Sequence, residues 1–292
     1  MEADISLFSE NSPLINEVQK ILSISPGMIL KDILLVLKLA TPEALWKALL
    51  DLQFDMARLK EMSFLNRYCD YNKKIQVLEI GFGIDHVIGG IRPYFPQAEI
   101  KEVVLNFSYL FAGKNNYKNV TAEIEKQIGS CSQQYDNIHL RLVAQHVNQF
   151  GAMIKSIGNY LKDDGNIVIM EAYDSYLKWS PNIPSLTEMF AVLGQLQKAK
   201  GGLRTSAEKI HRKASIYGFT PLCSEKMEVA SQTQTDLRNY YQFFLLVSEI
   251  INRMIGSKIN QLKLIKEMLE WLGDPTAFGQ FGLQFVKLKK CD

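Results

Sequence analysis

From Lys74 onward the chain alternates short apolar runs with stretches of helical periodicity, and this alternation constrains its fold more than any other feature. The runs are IQVLEI (75–80), AEIKEVVL (98–105), NIHLRLVA (137–144) and NIVIMEA (166–172). Each has the length and the β-branched content of a buried strand, and helical segments separate them, so the pattern predicts right-handed βαβ units and a parallel sheet. The fold class expected is α/β, a doubly wound and mostly parallel sheet. With 292 residues, 47% of them hydrophobic, the chain can bury a large core, which excludes a disordered protein.

The flanks of this region read as helices. Ser12-Pro13 supplies an N-cap and a first-turn proline ahead of Leu14, Ile15, Val18, Ile21 and Leu22; a second helix is expected over Met28 to Ala40. Thr41-Pro42 opens a third, with Leu45, Leu49, Leu52 and Met56 on its apolar face. The expected organisation is an N-terminal helical cap at 1–72 and a core domain at 73–292, with an inserted helical segment at about 175–272. Leu161 to Gly165 reads as a tight Asp-Gly turn before the fourth run. After Asp174 the strand pattern stops. Turn formers surround a helix near Leu186 to Lys198, additional helices follow at Asp236–Ile255 and Ile259–Leu272, and a last strand covers Phe281 to Leu288.

Thirty-three basic and 31 acidic side chains give a formal charge of +2, with no basic block interleaved with aromatics, so there is no strong sign of a nucleic-acid partner. Cys69, Cys131, Cys223 and Cys291 form no CxxC pair, and the four histidines complete no metal-ligand spacing. The expectation is a reduced, metal-free, cytoplasmic protein. The opening MEADISLFSE lacks the basic and apolar regions of a secretory signal, and the apolar stretch from Met28 is too short and too charged to span a bilayer.

The chemistry concentrates in VLEIGFGID (77–85), a buried strand that runs into a turn with glycines at Gly81 and Gly83. Bare backbone there lets a ligand approach closely; the plain alternative is an ordinary strand-to-helix turn. A dinucleotide fingerprint would need glycine where His86 stands, which argues against a nicotinamide or flavin cofactor. Glu79, two residues before the first glycine, instead suits a ligand with an ammonium group.

VLEIGFGID resembles motif I of the class I S-adenosylmethionine-dependent methyltransferases. The likeness continues in order: YDNIHLRLVAQHV (135–147) resembles the family's fourth strand, and YLKDDGNIVIME (160–171) its following strand ending in an acid. ASIYGFT (214–220) resembles the late helix-to-strand step, and Phe281 to Leu288 the final β-hairpin. The resemblance implies a Rossmann-like methyltransferase fold, S-adenosylmethionine as cofactor, and a cofactor site built from Glu79, Gly81, Gly83, Asp85, Asn106, Phe107, Glu125, Arg141 and Leu142. Glu79, Gly81 and Gly83 would hold the methionine end, Phe107 would lie against the adenine, and Arg141 and Leu142 would border the sulfonium. Two positions depart from the pattern. Asn106 stands where an acid usually binds the ribose, and Asp85 where a third glycine is common; Asp85 either contacts the cofactor or caps the next helix. The adenine-binding acid falls at Glu125 or at its neighbour Glu123.

Methyl transfer needs alignment above all, and a base only where the acceptor atom carries a proton. His146, after the fourth strand, is one candidate base, with a packed core histidine as the alternative. Glu171 and Tyr173, with Asp174, lie where a central strand ends and form the candidate acceptor-facing group. Trp179, Phe190, Tyr240, Tyr241 and Phe244 read either as an acceptor pocket or as plain core, the latter being the commoner role of aromatics at helical spacing. The function expected is methyl transfer to a small or medium-sized acceptor, with a degenerate binding or scaffold protein as the alternative. A homodimer through the amino-terminal helices stays open.

Overall fold

The computed structural model describes residues 35, 37–69, 73–82, 92, 95–105, 118–129, 134–147, 150–199, 202, 204–255 and 260–291. The helix expected from Ser12, most of that expected over Met28 to Ala40, and Gly83, Asp85, Asn106 and Phe107 lie outside them. The described chain falls into two units. One takes the residues up to Asp55, Trp179–Ala191 and Ser231–Phe278; the other takes Met56–Lys178, Val192–Ala230 and Gly279–Asp292.

The second unit carries the sheet. The strands are β1 (Gln76–Gly81), β2 (Glu99–Val104), β3 (Tyr135–Arg141), β4 (Leu161–Ala172), β5 (Lys178–Ser180), β6 (Phe219–Ala230) and β7 (Phe278–Lys290); of β5 only Lys178 belongs to this unit, and β7 belongs to it from Gly279 onward. The order is β2-β1-β3-β4-β7-β5, with β6 pairing β7. Strands β2, β1, β3 and β4 run parallel, and β7 is antiparallel to both β4 and β6. The fold class expected from the alternating runs is therefore the fold observed. β1 and β3 are buried almost throughout, as strands covered on both faces must be, which is why their sequences read as continuous apolar runs.

Two expectations need correction. Leu161 to Gly165 is the extended beginning of β4, with the pairing register shifting between Tyr135 and Asn137. A β-carbon on Gly165 would sit 2.8 Å from Leu161 Cγ and 3.0 Å from the Asp136 carbonyl, so the glycine there serves a close approach inside an irregular strand. The strands also do not stop at Asp174: residues 219–230 form β6, whose polar alternation EKMEV belongs to a half-exposed antiparallel strand.

Helices flank the sheet: α2 (Lys118–Ile128), α3 (Phe150–Gly158) and α5 (Ser206–Lys213). On α3, β-carbons added at Gly151 and Gly158 would come within 2.2 Å of the Tyr217 ring and 2.7 Å of the Phe219 ring. The turn that leads into β6 ends at Gly218, whose φ of 87° lies in the left-handed region that glycine enters freely. β2 stands at the sheet edge, and the Gln127 side-chain amide of α2 both accepts from Val104 N–H (3.1 Å) and donates to its carbonyl (2.8 Å). A side chain thus does for the tip of β2 what a neighbouring strand would do.

Helix α1 (Pro42–Tyr68) begins as the Thr41-Pro42 signal predicts, with Thr41 Oγ1 accepting from Ala44 N–H at 3.2 Å. Its later residues belong to the sheet unit, where Phe64 stacks on Phe285 of β7 at 4.7 Å. The first unit is built around α6 (Gln234–Ile255), α7 (Gln261–Gly273) and the beginning of α4 (Pro184–Ala199). Thr233 and Asp236 cap α6 reciprocally, and Asn260 caps α7. The core of this unit is aromatic: Phe244 lies 5.6–6.3 Å from the rings of Trp179, Phe190, Tyr240, Phe243 and Trp271. Of the aromatics read from the sequence as pocket or core, Trp179, Phe190, Tyr240 and Phe244 pack here against one another, and Tyr241 is fully buried. Among the described residues, no helix is long and apolar enough to cross a membrane.

Candidate active site

The site grows from the carboxyl ends of the parallel strands, where open α/β sheets present ligands. β1 ends at Gly81, whose carbonyl accepts from Leu105 N–H just after β2 (2.8 Å). Within β1, Glu79 lies in parallel register with His139 of β3, so the two side chains leave the same face of the sheet as neighbours. The His139 Nδ1 is 2.8 Å from Glu79 Oε2. Two residues on, and therefore on the same face, Arg141 directs its Nε toward Glu61 Oε2 of α1 at 3.4 Å.

Two carboxylates, an imidazole and a guanidinium thus line one small pocket with Met170 and Phe285, with room for about one water. All four are less than a tenth exposed. Charges buried so deeply persist only when they compensate one another. Burial alone would push His139 down, but the Glu79 charge and hydrogen bonds to Cys69 and Glu79 hold it up at about 10. Desolvation raises Glu61, against the opposing pull of Arg141.

β3 then breaks into the site. Leu142 takes a φ of 55°, uncommon for a side-chain-bearing residue, while its N–H still donates to Met170 O at 2.8 Å. A short 3-10 turn follows over Ala144–His146. His146 is buried and meets the Phe82 ring of the glycine loop edge-on at 5.5 Å. Glu171, on β4, is fully buried and receives the N–H groups of Ala144 (2.6 Å) and Gln145 (3.3 Å), so its carboxyl pins the turn to the strand. Burial raises it to about 8, against those same N–H donors.

Tyr173 stands apart from this buried set. Half-buried just past β4, its hydroxyl accepts from Lys226 Nζ at 2.7 Å. Asp174 is held in a two-pronged pair by Arg204, whose other nitrogen reaches Gln197 at 3.2 Å. Glu125, expected near the adenine, lies within α2, where its Oε1 accepts from Ser156 Oγ of α3; Glu123, on the same helix, accepts from Gln127.

The structure therefore gathers Glu79, Gly81, Arg141, Leu142, His146 and Glu171 at one end of β1, β3 and β4, with Glu125 away on a helix. Sequence reasoning missed Glu61, His139, Arg204 and Lys226. The signal for His139 was present: it and Arg141 are polar at alternate positions of an otherwise apolar, buried strand, and buried polar residues are the informative ones. Glu61, Arg204 and Lys226 had no local signal, because only tertiary packing brings them near.

A family model described as a methyltransferase domain matches residues 55–223. No curated protein matches the sequence. Similar solved structures include a putative methyltransferase from Bacillus halodurans C-125, at 12% identity over 80% of this chain and 100% of that one, with a TM-score of 0.45. Coclaurine N-methyltransferase bound to N-methylheliamine and SAH is 13% identical over 79% of this chain and 70% of that one, with a TM-score of 0.41. A phosphoethanolamine N-methyltransferase 2 from Haemonchus contortus, in complex with phosphomonomethylethanolamine and S-adenosylhomocysteine, is 13% identical over 87% and 61% of the respective chains, with a TM-score of 0.45. With more than half of its length inside the family match and the motif I strand β1 paired between β2 and β3 of the parallel sheet, the chain belongs to the class I methyltransferase family and is an S-adenosylmethionine-dependent enzyme.

Proposed function

We propose that this enzyme methylates a small or medium-sized acceptor held at the carboxyl ends of β3 and β4. The observation that carries the reading is the charged pocket of Glu79, Glu61 and Arg141 at the tip of the motif I strand. The chemistry of its donor set matches an amino-acid head group, carboxylates for an ammonium and a guanidinium for a carboxylate, while its one-water volume means that the head group would bind at its mouth rather than inside it. Glu79 and Gly81, with Gly83 beyond, would hold that end of S-adenosylmethionine. Asp85, Asn106 and Phe107 belong to the proposed cofactor set by motif position, and Leu142 borders it from β3. When bound, the cofactor supplies an electrophilic methyl group. The chain's own part is to orient the acceptor, exclude water and, where the acceptor atom carries a proton, remove it.

Calorimetric titration with S-adenosylmethionine tests the reading. Micromolar binding that Gly81→Arg abolishes supports it, and so does S-adenosylhomocysteine recovered by mass spectrometry from the purified protein. Absence of binding by the intact chain overturns it.

One observation favours the scaffold alternative. The motif acid already faces a buried imidazolium, which competes with a cofactor ammonium for the same carboxylate. If that competition wins, His139→Asn gains cofactor affinity that the natural chain lacks, and the same calorimetry separates the two readings.

A further inference from the structure

Among the candidate acceptor-facing groups, Glu171 is consumed by main-chain donors and His146 is buried against Phe82. Tyr173 remains half-exposed, at the end of the sheet where the site lies. Three contacts fix it. Its N–H donates to Gly282 O of β7 at 2.8 Å. Gly282 also keeps room for the turn, since a β-carbon there would lie 2.6 Å from the Tyr173 carbonyl and 2.6 Å from Tyr176 Cβ. The Tyr176 ring then meets the Tyr173 ring edge-on at 4.8 Å.

The phenol end is held from β6. Lys226 Nζ donates to the Tyr173 hydroxyl and lies 4.2 Å from the centre of its ring, so one ammonium serves both oxygen and π-face. Glu208 of α5 is the opposing charge, 3.3 Å from the same nitrogen and itself paired with Arg212 at 3.4 Å.

We propose that Tyr173 is the catalytic base that takes the acceptor's proton, and that Lys226 is the positioning residue that stabilises its phenolate. The inference rests on the methyl-transfer reading above. The acceptor's X–H bond breaks and its electron pair forms the new X–CH3 bond, the sulfur leaves with the S–CH3 pair, and the proton goes to Tyr173 Oη and then to solvent. The hydrogen bonds from Lys226 and Ser175 hold the phenol below the usual tyrosine range, against desolvation and the opposing charge of Glu208. The arrangement suits acceptors that must lose a proton to become nucleophilic, such as phenols and protonated amines, and adds nothing for thioethers or tertiary amines.

Phenolate reactivity tests the pair independently of methyl transfer. The full-length chain is treated at pH 7.5 with a tyrosine-selective aryl sulfonyl fluoride, and labelling is mapped by mass spectrometry. Tyr173 is expected to react faster than the other tyrosines, several-fold more slowly in Lys226→Met, and at a restored rate in Lys226→Arg. Glu208→Gln, which removes the opposing charge, is expected to speed it. Saturating S-adenosylhomocysteine should protect Tyr173 in the natural chain. Ordinary reactivity at Tyr173, indifference to Lys226→Met or lack of protection each overturns the proposal; loss of cofactor binding by calorimetry overturns the underlying reading instead.

Discussion

At the level of single residues, the site is a problem in burying charge, and both His139 and Glu171 hold a proton more tightly in the fold than their ordinary values allow. His139 is held at about 10, above the ordinary histidine value, through its partnership with Glu79. A raised histidine stabilises the fold fully below its unfolded pKa of about 6.5, and that contribution is lost as pH rises through the folded value. His139→Asn should therefore lower the urea midpoint at pH 6 and flatten the fall in stability between about pH 7 and 10, as read from denaturation curves across pH. Glu171 is used differently, as an acceptor for two N–H groups. Above about pH 8, where its carboxyl is ionised, Glu171→Gln turns one acceptor into a donor facing a donor, and should cost about 1–3 kcal/mol in chemical unfolding at pH 9 with little change in m-value, and less at pH 6. Glu79, Gly81 and Arg141 could be named from the sequence because motif I and the likeness of 135–147 to the family's fourth strand are local, whereas the pairing of Arg141 with Glu61 is not. The sequence made Glu171 legible as a strand-end acid while leaving its destination hidden, since the 3-10 turn that it pins is formed from residues on another strand's exit.

At the level of elements, the parallel strands were readable from their apolar runs, and β6 was not. A strand with one face toward solvent carries charges at alternate positions, and in EKMEV that alternation is short and flanked by Pro221 and turn-forming residues. The beginning of β4 was misread for a related reason: Asp-Gly favours a turn locally, but pairing of Leu161 with Tyr135 holds it extended. Helix α3 depends on its glycines for contact rather than for flexibility. Gly151→Ala should force the Tyr217 ring to move and lower stability by roughly 1–3 kcal/mol, whereas alanine at Gly194, with nothing within 4 Å, should be neutral or slightly stabilising. Gln127 offers a second check. Gln127→Leu removes both hydrogen bonds at Val104, so amide exchange there should accelerate while exchange in β1 and β3 stays slow.

At the level of the molecule, binding and stability should be linked. S-adenosylmethionine at a hundred times its dissociation constant is expected to add about 2.7 kcal/mol, visible as a rise in melting temperature that Gly81→Arg eliminates. The chain also crosses repeatedly between its two units, once inside α1 and once inside α4, so neither unit is a contiguous stretch of sequence. Sequence texture could not show this, because a helix shared by two units has the same periodicity as a helix within one.

The place of β7 in the strand order has a consequence for biosynthesis. β4 receives its second neighbour only from residues 283–289, after everything from 173 to 277 has been made, and β6 likewise waits for β7. Until then the nascent chain exposes an apolar strand flank to every other polypeptide nearby, and closing the sheet means joining distant segments, which is slow. Chaperone dependence during translation, and precipitation of ribosome-released fragments that stop short of residue 278, are the cellular marks such a wiring should leave.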